Sequence, residues 1–291
     1  MGQDARVVPG MEPVVTHQTT PFVRVAAIAD IHIRANSVER TDALAGLHEV
    51  ADMLIVAGDI TDMGRIAEVE VAARAFDPTP MPIFAVLGNH DRRGLRRMAM
   101  RKTLARSGVQ LLDGEYRIHT LPDGTRVGVA GTTGTGGGFG PAHGEPGPGG
   151  RLTRAMMIKA RREAARLDAV LTAMEEEEPD ISLLVTHFSP TVSTLGAEPP
   201  LKYWMLGNAG LGEVIDRHHL DLVIHGHAHL GNEIGETPGG TPVRNVAAPI
   251  VGHIMVYHVE PGRRVTYAAG PRPGIAKPEP APVAGNERTA R

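Results

Sequence analysis

Asn89, His90 and Asp91 follow the apolar run "IFAVL" after a single glycine. An amide oxygen and an imidazole nitrogen are ligands for a borderline divalent cation, and an imidazole beside a carboxylate can move a proton. A polar tripeptide is also ordinary turn chemistry, so its weight depends on how other apolar runs end. "VRVAAIAD" leads into Asp30 and His32, "MLIVAGD" closes on Asp59, "ISLLVTH" on His187, and "LDLVIHGH" on His227, with His229 two residues on. Five runs therefore deliver metal-competent side chains at their ends. The chain has no cysteine and 14 histidines, so thiolate sites and a cysteine nucleophile are excluded, and any metal is held by nitrogen and oxygen.

These residues need elements that bring them together. The runs at 23–30, 53–59, 83–89, 126–131, 181–187, 220–227, 253–259 and 264–269 are short and nearly all apolar, as strands covered on both faces are. Helical spacing is expected near 37–51, where Asn36 and Glu39 make a capping pair, and near 64–75, 92–107, 153–174 and 210–219. Alternating strands and helices predict a layered α/β domain, with the later strands nearer a meander. In open α/β sheets the loops after the strands converge on one crevice, so the five strand ends are expected at one edge.

The ordered set "DIH", "GD", "GNHD", "TH" and "GHAH" resembles the calcineurin-like metallophosphoesterase superfamily over roughly residues 24–259. The resemblance implies a four-layer α/β/β/α sandwich of two mixed sheets flanked by helices. It also implies two divalent metal ions, Mn, Fe or Zn. Asp30, His32 and His229 would hold one, Asn89, His187 and His227 the other, and Asp59 would bridge them. Two such ions about 3.5 to 4 Å apart would act on a phosphoester through a bridging hydroxide. His90 would give a proton to the leaving oxygen, and Asp91 would orient its ring. "GDITDMG" resembles the bacterial cyclic-nucleotide phosphodiesterase branch, since the protein phosphatase form has Arg where Met63 stands.

That resemblance implies a small-molecule phosphoester substrate, a phosphodiester of nucleotide type. The alternatives are a phosphomonoesterase or phosphoprotein phosphatase, a nuclease, and a non-catalytic scaffold, a class that typically loses the residue equivalent to His90. With 33 acidic and 30 basic residues the net charge is −3, which gives no general attraction to nucleic acid or anionic membranes. Basic residues do cluster, at Arg92, Arg93, Arg96, Arg97, Arg101, Lys102 and Arg106, and again from Arg151 to Arg166. A solvated face is the plainer reading of both, so nucleic acid is not favoured as a partner.

No segment reaches the roughly 18 apolar residues of a membrane span, and the first twenty lack the pattern of a secretory signal. The expected location is the cytoplasm. Residues 1–20 read as a flexible lead-in, 21–269 as one domain, and 270–291 as a disordered tail. The glycine-rich stretch 131–150 reads as an insertion, a mobile lid or a plain surface loop. Tyr203 and Trp204 would pack or wall the site, and His225 reads as a structural or supporting histidine.

Overall fold

The computed structural model describes residues 20–37, 44, 46–77, 79–94, 96–140 and 150–267. The apolar runs form the strands expected of them. β1 (Val23–Ile28), β2 (Met53–Ala57) and β3 (Ile83–Val86) lie parallel, followed by β4 (Val109–Leu111). In the second sheet β6 (Arg126–Thr132), β7 (Ile181–Thr186), β8 (Leu222–His225) and β10 (Pro242–Asn245) are parallel. That sheet is edged by antiparallel β5 (Glu115–Thr120) and β9 (Ile234–Glu236). The last two strands, β11 (Met255–Glu260) and β12 (Arg264–Tyr267), return to the first sheet, β11 pairing antiparallel with β1. Both sheets are thus mixed, in the orders β12-β11-β1-β2-β3-β4 and β5-β6-β7-β8-β10-β9.

Strand alternation assigns each side chain to a layer. In β1, Val23, Val25 and Ala27 face Val127, Val129, Leu183 and Ile224 of the other sheet, across a core shared with Met53, Ile55 and Phe84. Ala26 and Ile28, with Leu54, Val56, Ile83 and Ala85, face outward. They are covered by α1 (Ile66–Phe76) and α2 (Arg97–Arg106) through Val69, Phe76, Met100 and Leu104. On the far side, α3 (Arg151–Glu175) and α5 (Ala209–Ile215) cover the second sheet with Leu167, Leu171, Leu211 and Val214. Near-continuous apolar strands are what this burial on both faces demands, and the four-layer α/β/β/α sandwich follows.

Several elements differ from the sequence reading. The helix expected at 37–51 falls partly outside the described residues. What is described is a single 3-10 turn, Leu47–Glu49, entered through Gly46 at φ 67°, which ends any helix there. Of the later strands, β9 with β10 and β11 with β12 pair antiparallel as a meander would, but β7, β8 and β10 pair in parallel. The glycine-rich stretch is not simply a surface insertion: residues 131–138 are buried, and the amides of Gly137 and Gly138 donate to the Gly207 carbonyl at 2.9 and 3.0 Å. Residues 141–149 lie outside the described set, as do most of the lead-in and the whole tail.

Candidate metal centre

β1, β2, β3, β7 and β8 end at one edge, and the residues past their ends converge there. Four of those residues, Asp30, His32, Asp59 and His227, have φ of 55°, 44°, 48° and 69°. The left-handed region is costly for a residue with a Cβ, so surrounding contacts must enforce it. They do so through the Asp30 amide to the Gly58 carbonyl (3.0 Å) and the His32 amide to the Asp59 carbonyl (3.0 Å). The His227 amide is bonded to Asp30 Oδ2 at 2.8 Å. The motif glycines leave room for carboxylates: a Cβ on Gly88 would run into Asp59 Oδ1, and one on Gly226 into Asp30 Oδ2.

Three groups of side chains have ligand atoms within 4.8 Å of one another: Asp30, His32 and His229; His32, Asp59 and His90; and Asp59, His187 and His227. Asp59 belongs to two of them, as a shared carboxylate would. Asn89 joins the third, its Oδ1 3.0 Å from His187 Nε2, which is also 3.4 Å from Asp59 Oδ2. His187 Nδ1 faces the Ala57 carbonyl at 2.9 Å, which fixes the tautomer and turns Nε2 toward the cluster. His227 Nε2 faces the Met205 carbonyl at 3.1 Å, leaving Nδ1 as its ligand atom. All seven residues singled out as metal ligands are therefore gathered at one place.

The charges agree with a cation site. Burial works to raise the Asp59 carboxyl, but the neighbouring imidazolium of His187 outweighs it and holds Asp59 far below the usual carboxylate range. Burial also works to raise Asp30, and its hydrogen bond with His229 holds it down. Burial would lower His187, yet the Asp59 carboxylate lifts it to about 9. His227, where burial dominates and His187 repels, is pushed down to about 4. His32, lowered chiefly by burial, leaves its buried Nδ1 with no hydrogen-bond partner among the described residues. Two deprotonated carboxylates ringed by imidazoles and one amide form a nitrogen and oxygen donor set suited to Mn²⁺, Fe²⁺ or Zn²⁺.

His90 stands at the edge of this cluster, its ring 4.5 Å from that of His32 and its Nδ1 2.7 Å from the Asp62 carbonyl. A carbonyl only accepts, so Nδ1 carries hydrogen and Nε2 is the nitrogen left outside that bond. The expected pairing of this ring with Asp91 is not what the hydrogen bonds show. The fully buried Asp91 accepts from the Ile60, Thr61 and Gly88 amides and from the Thr61 hydroxyl at 2.7 to 3.1 Å. It ties the loop after β2 to the loop after β3, an orienting role one step removed from the ring. No side-chain pattern could have singled out the Asp62 carbonyl.

Beside the cluster, Glu68 caps α1 by accepting from the Met63 and Arg65 amides. His225 is buried and bonded to the Gly226 carbonyl and Thr194 Oγ1, a structural role. Tyr203 packs edge-on against Phe139, but Trp204 is 48% exposed on α4 (Tyr203–Leu206), beside the Met205 carbonyl that holds His227.

The sequence matches the calcineurin-like phosphoesterase family over residues 23–231, most of the chain and every residue of the cluster. The chain belongs to this family. The family is one of binuclear metal-dependent phosphoesterases, and the whole cluster lies within the matched residues. A curated relative, the glycerophosphodiester phosphodiesterase GpdQ of Enterobacter lignolyticus (strain SCF1), is 34% identical over 61 residues, 21% of this chain and 22% of that protein. The Thermus thermophilus protein TT1561 shares the fold at a TM-score of 0.54 and 13% identity, over 86% of this chain and all of that one. A Staphylococcus aureus protein provisionally designated a 5′-nucleotidase superposes with the same TM-score at 14% identity, over 87% of this chain and 55% of that one. Among the described residues, no helix is long and apolar enough to cross a membrane.

Proposed function

We propose that this protein hydrolyses a phosphodiester of nucleotide type. Asp30, His32 and His229 would hold one divalent cation, Asn89, His187 and His227 a second, with Asp59 shared between them. When bound, such a pair supplies Lewis acidity, offsetting phosphate charge and lowering the pKa of water. The chain's own residues do the rest. Ala57 and Met205 aim the imidazoles through their carbonyls, and His90 moves a proton from Nε2 to the leaving oxygen while Asp62 holds Nδ1. Asp91 keeps the two loops that carry Asp59 and His90 in register.

The observation that carries the diester reading is the open wall beside the cluster. Trp204, Met205 and Leu230 are exposed at 48, 44 and 57%, next to His227 and His229, and an exposed apolar group at a site fits an organic group on the substrate. A diester presents such a group on each side of phosphorus, a monoester on one. Met63 in place of the arginine of the protein phosphatase form, and the name of the curated relative, a diesterase, support the same reading. His90, retained among the cluster residues, speaks against a non-catalytic scaffold.

The test is hydrolysis of bis(p-nitrophenyl) phosphate beside p-nitrophenyl phosphate, with metal-stripped protein restored with Mn²⁺. Metal-dependent turnover favouring the diester is expected, with none from Asp59→Asn. Preference for the monoester would replace this reading with a phosphatase.

A further inference from the structure

The mechanism leaves one strongly charged feature unused. Immediately after the loop that carries His90, a recess of about 550 Å³ is lined by Arg92, Arg93, Arg96 and Arg97, with Met98 and no acidic side chain. Arg92 is neutralised, 3.0 Å from Asp113 Oδ1. Arg101, one turn further along α2, is likewise answered, 3.7 Å from both Asp113 and Glu115. Among the described residues no carboxylate pairs with Arg93, Arg96 or Arg97, all exposed. In a chain with a net charge of −3, three guanidinium groups without counter-charge in one recess set up a local positive field, and the guanidinium fork matches phosphate oxygens in pairs.

Its position relates it to the cluster. Arg93 Nη1 lies 3.7 Å from Met63 Sδ, and the Arg93 amide donates to the His90 carbonyl at 3.1 Å. Met63 follows Asp62, whose carbonyl holds the His90 ring. The recess therefore lies against the segment that holds the His90 ring, while the Trp204 wall adjoins His227. Resting on the hydrolase reading above, we propose that this recess binds a second phosphate, carried by the leaving group of the substrate. Within the recess the unpaired charge is confined to Arg93, Arg96 and Arg97; Arg101 is already paired, and Lys102 and Arg106, exposed further along α2, are not among its lining residues. Three guanidinium groups in a recess of this size suit one phosphate on a small nucleotide, whereas a nucleic-acid strand would also engage Lys102 and Arg106.

The test compares adenosine 3′,5′-bisphosphate with AMP by calorimetric titration of the Mn²⁺-loaded protein, so the readout is affinity and not turnover. The bisphosphate is expected to bind the wild type about tenfold tighter or more, the scale of charge-assisted hydrogen bonds to one added phosphate. In Arg93→Ala, and in the Arg96→Ala/Arg97→Ala double variant, that ratio should fall to about two or below. Because it is taken within each variant, a general loss of binding does not mimic the effect. Equal affinities in the wild type, or a ratio that survives both changes, would overturn the proposal. Tighter binding of a single-stranded oligothymidylate than of the bisphosphate, lost in the same variants, would overturn it in favour of a nucleic-acid groove. Absence of bis(p-nitrophenyl) phosphate turnover in the same preparation would count against the diesterase reading alone, since the affinity ratio still decides the recess.

Discussion

His90 stands beside the cluster, its ring about as open as that of His32 and its Nδ1 held by the Asp62 carbonyl, and the proposed mechanism gives it the proton rather than a metal. His90→Ala should therefore keep the full metal content while slowing turnover about 10²- to 10⁴-fold, most for esters with poor leaving groups. Metal analysis beside steady-state rates checks this, and loss of a metal would move His90 into the ligand set. Asp91→Ala should act differently, stripping an acceptor from three buried amides and a hydroxyl. A loss of about 3 kcal/mol or more is expected by chemical denaturation, and an unchanged midpoint would show that those amides find other partners. The residues of the cluster were legible in the sequence because chemistry lies in side-chain type. The partner of His90 was not, being a backbone carbonyl, and neither was the strained backbone of His32 and His227, which nothing in an imidazole announces.

Strands buried on both faces leave a plain trace, and β1, β2, β3, β7 and β8, the elements that carry the centre, were the ones readable as apolar runs. β5 escaped because "EYRIHT" is half exposed on a sheet edge, and β4 and β9 because three residues give no period to detect. Glycine misled the reading of 131–138: there the backbone itself packs, hydrogen-bonded to Gly207 just past α4, and composition alone does not separate close packing from freedom. The motif glycines illustrate the same physics at the centre. Gly88→Ala places a methyl where Asp59 Oδ1 and the Asp59 amide stand, and the amide cannot step aside without moving β2. Overpacking of this kind costs about 1 to 3 kcal/mol. The variant should melt lower and lose metal, as calorimetry and metal analysis would read, and retention of both would mean that the β3 loop shifts as a unit.

At the scale of the whole molecule, two sheets press together across one core and their ends supply the two halves of the centre: Asp30, His32, Asp59 and Asn89 from the first, His187, His227 and His229 from the second. Without a cation, the buried carboxylates are answered by protons, chiefly on His187, raised to about 9 against the cost of burial by Asp59. His227, lowered to about 4, is neutral near pH 7 and has none to give. A cation that takes up His187 Nε2 must displace its proton, so metal binding at pH 7 should release protons and weaken as pH falls. Calorimetric titration of metal-stripped protein in Tris and in Hepes reads that release from the difference in buffer heats, and equal heats would contradict it. The same shift sets the stability of the metal-free protein. Its folded pKa lies above the unfolded value near 6.5, so the contribution of His187 is complete below that value and is lost as pH rises toward about 9. The melting temperature of the metal-free form should accordingly fall across that window, and that of the metal-loaded form should not, because the cation then stands where the proton stood.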